Sequence, residues 1–187
     1  SLEALIETPP GPLRGLAVVC HPHPLHGGTM DNKVAQTLAR ALALSRYRAV
    51  RFNFRGVGAS AGSWDEGRGE VDDALAVGQA LALAGFSFGA YVASQVAARL
   101  AADQPAESLM LVGPAVQTFP MATVPPHTLV VHGEHDEVVP LSAVLDWARP
   151  QAVPVTVIPG VGHFFHGQLL LLRSLVLRAA GSAGDRP

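Results

Sequence analysis

Two stretches of the chain set a serine between glycines in one pattern, Gly85-Phe-Ser-Phe-Gly89 and Gly58-Ala-Ser-Ala-Gly62. A serine hydroxyl is a weak nucleophile near neutral pH. It attacks a carbonyl when a base takes its proton and an acid orients that base. Candidates for both roles follow Ser87: His127, His132, His135, His163 and His166, with Glu134, Asp136, Glu137 and Asp146. Such a set would do acyl transfer through a covalent intermediate.

The pattern alone does not choose between the two serines; their neighbours do. A nucleophile elbow needs a strand, a strained turn and a helix that begins at the serine. Ser87 follows the apolar run 81–84 and precedes Tyr91, Ala93, Val96, Ala97 and Leu100, which recur at helical spacing. Ser60 is followed by the polar, glycine-broken "SWDEGRGE" and reads as a loop residue. His163 lies in "IPGVGHFFHG", just after the strand pattern at 153–158, where a general base belongs. Asp136, in "VVHGEHDEVVP", falls in a loop after another strand pattern and is the expected orienting acid. His127 precedes its strand, His132 lies within or at the end of it, His166 opens the last helix, and Asp146 sits within a helix; these read as structural or solvent-facing.

The elements that must hold these groups alternate along the chain. Strands are expected at 2–7, 13–21, 49–56, 81–85, 108–115, 127–134 and 153–160, and helices at 31–46, 70–77, 87–101, 141–149 and 165–180. That order predicts a mostly parallel, twisted sheet in a three-layer α/β/α sandwich, with ligands beyond the carboxyl ends of the strands. "TPPGP" marks a turn between the first two strands. Only about "VDDALAVGQA" separates the glycine-rich loop 56–69 from the strand at 81, so that crossover must be tight.

Length and composition set the class. The chain has 187 residues, enough for one domain over 1–187, with 49% hydrophobic and 15% charged residues and a net charge of −2. Without a basic stripe, nucleic acid and anionic membrane are poor partners. The most apolar stretch, 168–180, is broken by Arg173 and Arg178 and is too short to span a bilayer. The one cysteine, Cys20, cannot form an internal disulfide, and the opening "SLEALIETPP" lacks the layout of a signal peptide. The expected location is cytoplasmic. A monomer is expected, with a homodimer as the alternative.

The motifs "GFSFGAYVA", "HGEHDEVVP" and "GVGHFFHG" resemble the triad motifs of the α/β-hydrolase superfamily. "HPHPLHGGTMDNKV" (21–34), "RFNFRGVGASAG" (51–62) and "HFFHG" (163–167) are further similar to a subgroup of small, lidless, dienelactone-hydrolase-like bacterial serine hydrolases. The resemblance runs over nearly the whole chain. It implies the α/β-hydrolase fold without a cap domain and a Ser87–Asp136–His163 triad. The chain departs from the pattern before residue 81, where family members carry more residues.

A tetrahedral intermediate needs two aimed N–H donors. One is expected from Phe88, after the nucleophile. The other should come from "HPHPLHGG", where Pro22 and Pro24 have no N–H; His23 and Leu25 are the candidates. His21, His23 and His26 do not form a strong ligand signature, so neither a metal nor a cofactor is expected. Between 115 and 127 only a dozen residues are available, too few for a cap, and the site should be open and shallow. Phe86, Phe119, Met121 and Trp64 could line an acyl pocket, and Arg55 could approach it. The expected function is a serine esterase acting on a small acyl substrate. Thioesterase and peptidase activities, and a non-catalytic binding module on the same fold, are the alternatives.

Overall fold

A computed structural model describes residues 1–183. The strands are β1 (Ala4–Glu7), β2 (Gly15–Cys20), β3 (Tyr47–Phe52), β4 (Ala80–Phe86), β5 (Ser108–Val112), β6 (Leu129–Gly133) and β7 (Val155–Ile158). The α-helices are α1 (Lys33–Leu44), α2 (Arg68–Val77), α3 (Phe88–Leu100), α4 (Leu141–Ala148) and α5 (Leu169–Ala183). The strands form one sheet in the order β1-β3-β2-β4-β5-β6-β7, with β1 antiparallel to β3 and every other pair parallel.

Residue alternation builds the three layers. Val18, Leu83, Leu109 and Val130 point to one face, where they pack with Val71 of α2, Val92 of α3 and Val144 of α4. Val19, Ala84, Met110 and Val131 point to the other, against Leu38 of α1 and Leu172 and Val176 of α5. Both faces of the central strands are therefore buried, which is why they read as unbroken apolar runs. The expected sandwich is the observed one.

Some boundaries differ from expectation for physical reasons. "TPPGP" lies between the first two strands as expected, but β1 does not pair with β2: both edges of β2 are taken by β3 and β4, so β1 pairs outside β3. The tight crossover closes because α2 begins earlier, at Arg68, and Gly78 and Gln79 alone join it to β4. The last helix starts at Leu169, so His166 stands in the turn before it. The link 113–128 between β5 and β6 carries no helix or strand.

The strand order reverses at β2, which has β3 on one side and β4 on the other. This switch point leaves a crevice beyond the carboxyl ends of β2 and β4, the place where open parallel sheets bind ligands. The "HPHP" loop leaves β2 there, and Ser87 leaves β4.

Candidate active site

Ser87 joins β4 to α3 with φ 56° and ψ −116°, a backbone that residues other than glycine rarely adopt. Its own N–H donates to the Val112 carbonyl at the end of β5 (2.9 Å), which anchors the turn. The flanking glycines are dictated by crowding. A Cβ at Gly85 would strike the Gly89 carbonyl oxygen, and a Cβ at Gly89 would strike that of Cys20. The elbow is thus wedged between β2 and the first turn of α3. Phe88 is the first residue of α3, where a backbone N–H has no partner within the helix.

His163 lies beyond β7 and Asp136 beyond β6, and the fold brings them together. His163 Nδ1 is 2.6 Å from Asp136 Oδ2, with both side chains buried. The other carboxylate oxygen, Oδ1, accepts the N–H groups of Val138 (2.9 Å) and Val139 (2.7 Å). Burial alone would raise the Asp136 pKa; the bonds from His163 and Val139 outweigh it and hold the carboxyl below its ordinary range. His163 and Ser87 line one cleft of about 230 Å³.

The neighbouring candidates fall elsewhere. His132 is buried, with Nε2 2.8 Å from the Val139 carbonyl and 3.5 Å from Asp136 Oδ2, so it packs behind the acid. Burial holds its pKa low. Glu134 accepts the Gly160 N–H, Asp146 pairs with Arg149, and Glu137 and His166 are exposed. His127 precedes β6, at the end of the sheet away from the cleft.

The loop after β2 is held by His21. This fully buried ring has Nδ1 2.7 Å from the Pro22 carbonyl, and its Nε2 accepts the Phe54 N–H (3.1 Å). Both nitrogens are therefore committed, with the proton on Nδ1. Burial lowers its pKa to about 4. The His23 ring stacks on His26 (4.3 Å) and lies against Trp64 and Phe88. Burial, then His26, lowers its pKa, and its neutral Nδ1 accepts the Leu25 N–H at 3.2 Å. His23 lines the cleft. Leu25 is exposed, its N–H is taken, and it stands outside the lining.

The supposed acyl pocket is not assembled from the residues expected. Trp64, Phe119 and Met121 pack against the α2–α3–α4 side of the core, while Phe86 is buried on the opposite side, against His163 (4.9 Å). Trp64, Phe119 and Met121 are only partly buried, and Trp64 and Phe119 stand behind His23 (ring centroids 4.7 and 5.7 Å), so they back the cleft without lining it. The apolar walls are instead Val138 and Phe164, with His26, Gly28 and Asn32 as polar or small neighbours. They come from three separate connections, β2–α1, β6–α4 and β7–α5, so no single stretch of sequence shows that they meet. Arg55 does not approach the cleft; it binds Asp73 through Nε (3.1 Å) and Nη2 (2.8 Å). Ser60 is a structural latch, accepting the Glu3 N–H (2.9 Å) and donating to the Asn53 carbonyl (2.6 Å). Cys20 is buried, which raises its thiol pKa far above the ordinary value.

Comparison with known proteins agrees with this architecture. No family model matches the chain. An α/β serine hydrolase homologue from Coxiella burnetii superposes with a TM-score of 0.84 at 44% identity, covering 95% of this chain and 90% of that one. XC6422 from Xanthomonas campestris, an α/β serine hydrolase without a lid, gives 0.83 at 38% identity over 95% and 87% of the two chains. An uncharacterized protein of Rickettsia prowazekii, RP471, is 32% identical over 173 residues, 80% of this chain and 71% of the relative. The chain belongs to the α/β-hydrolase family. It is a hydrolase of that fold, similar to lidless members. No helix among the described residues is long and apolar enough to cross a membrane.

Proposed function

We propose that the protein is a serine esterase that cleaves small acyl esters through a covalent acyl-enzyme. The observation that carries this reading is the 2.6 Å His163–Asp136 bond on a histidine that shares its cleft with Ser87. In this reading His163 takes the proton of Ser87 Oγ as that oxygen attacks the carbonyl, and later returns it to the leaving alcohol. Asp136 keeps the proton of the neutral ring on Nδ1, so that Nε2 is the free base, and stabilises the imidazolium that forms. Water then attacks the acyl-serine with the same base.

The developing oxyanion is assigned to the N–H groups of Phe88 and His23. Phe88 stands at the start of α3, where the helix dipole favours negative charge. His23 is preferred over Leu25 because it lines the cleft and the Leu25 N–H is already bonded. A cleft of about 230 Å³ suits a short acyl group.

Fluorophosphonate labelling of the wild type and Ser87→Ala tests the assignment. The wild type is expected to label and the variant to stay unlabelled; equal labelling of both defeats the proposal. Short esters, a matching thioester and an anilide then rank the leaving groups, with the ester expected to react fastest.

A further inference from the structure

A second cavity, of about 350 Å³, is lined by α1, the start of α5 and the ends of β1 and β3, with Lys33, Arg40, Arg51, Arg173 and Glu7 among its residues. The chain has 13 Lys and Arg residues and a net charge of −2, so four cations at one cavity are a concentration of charge against the overall balance. Lys33, Arg40 and Arg173 have no side-chain hydrogen bond or ion pair among the described residues, and Arg173 Nε is buried without a partner.

Arg51 is the anchor. It is 6% exposed, and its Nε also lacks a partner. Its Nη1 donates to the Met30 carbonyl (2.6 Å) and lies 3.5 Å from Asp31 Oδ1; its Nη2 lies 3.6 Å from Glu7 Oε1. Burying a guanidinium is costly unless its charge is answered. Glu7 on the cavity wall and Asp31 beside it both pair with Arg51, so even counting both carboxylates the four cations leave two positive charges unmatched. That surplus equals the charge of a phosphate monoester dianion, and guanidinium forks suit phosphate geometry.

The cavity adjoins the cleft through one peptide bond. Asn32 lines the cleft and Lys33 lines the basic cavity, and successive Cα atoms are about 3.8 Å apart. Phe164 on the cleft and Leu169 on the cavity likewise flank the turn that opens α5. The same two segments, the start of α1 and the approach to α5, thus line both openings.

We propose that the basic cavity seats the phosphate of an acyl substrate whose carbonyl meets Ser87. This inference rests on the acyl-hydrolase reading above and names its substrate class: esters that carry a phosphate monoester.

Binding to Ser87→Ala protein tests it without turnover, with calorimetric titration of 1-acetylglycerol 3-phosphate and 1-acetylglycerol. The phosphorylated ester is expected to bind about tenfold more tightly, or about 1.4 kcal/mol. Adding Arg40→Gln and Arg173→Gln is expected to bring the two constants together. Because the comparison is a ratio on one protein, a general loss of folding weakens both ligands and leaves the ratio. Equal binding in Ser87→Ala, or a preference that survives the two charge replacements, overturns the phosphate seat. Inorganic phosphate that binds as tightly as the phosphorylated ester marks a free-anion site and overturns the substrate assignment. A failure of the acyl reading shows separately, as a wild type inert to fluorophosphonate.

Discussion

Acid should loosen this protein through His21 before it touches most carboxylates. The His21 ring is wholly buried, and its Nε2 faces the Phe54 N–H, so a second ring proton would set donor against donor. Its folded pKa is lowered from 6.5 to about 4. Between those values the unfolded chain binds a proton that the folded chain refuses. Stability therefore falls as pH falls, by about 1.4 kcal/mol per pH unit, and His21 adds no further slope below about pH 4. Integrated from pH 7 to pH 4, His21 alone removes about 3 kcal/mol, a large share of a typical domain's stability. His132, also held low, acts in the same direction, and Asp136 loses its own contribution as pH falls through its depressed pKa. The measurement must isolate His21 from both. Urea unfolding, followed by the fluorescence of Trp64 and Trp147, is compared for wild type and His21→Gln at pH 7, 6, 5 and 4. The variant is less stable at pH 7 because it loses the bridge to Phe54. The gap should narrow by about 3 kcal/mol on reaching pH 4, since glutamine does not titrate. A gap that stays constant across the range refutes the neutral, doubly bonded His21.

Three further outcomes follow from the site and its supports. Asp136→Asn should lower kcat on a short aryl ester by about 10³–10⁴-fold, because the amide no longer holds the correct His163 tautomer; a loss below tenfold would remove Asp136 from the triad. Gly89→Ala drives a methyl into the Cys20 carbonyl and should cost about 3 kcal/mol or more in denaturant unfolding; a stability equal to wild type would mean that the elbow is not wedged as described. Arg55→Gln leaves the largely buried Asp73 carboxylate short of its cation and should destabilise by about 2 kcal/mol, with kcat/KM for the aryl ester unchanged because Arg55 lies outside the cleft; a selective loss of kcat/KM would put it back in the site.

The elbow was legible because its determinants are local. Strand, turn and helix occupy one continuous stretch around Ser87, and Gly85 and Gly89 announce the close backbone approach. The strands were legible because both of their faces are buried, so their apolar runs are unbroken. His163 and Asp136 could be picked out because each follows a strand, and in a parallel sheet those ends converge. The pairing of β1 with β3 was not legible, since the neighbour of a strand is decided by which edges remain free.

Side-chain destinations beyond that required the folded chain. Trp64, Phe119 and Phe86 are aromatic residues that composition cannot sort, yet the fold sends Phe86 to one face of the sheet, fully buried, and leaves Trp64 and Phe119 partly buried on the other. Val138, Phe164, His26 and Asn32 meet at the cleft only because three connections, β2–α1, β6–α4 and β7–α5, converge there. The basic cavity shows the same limit. Lys33, Arg40, Arg51 and Arg173 are spread over 140 residues of a slightly acidic chain, and no window of sequence holds all four. Backbone preference and burial periodicity act over a few residues and can be read along the chain. Charge and shape at a site are sums over whatever the fold brings within a few ångströms.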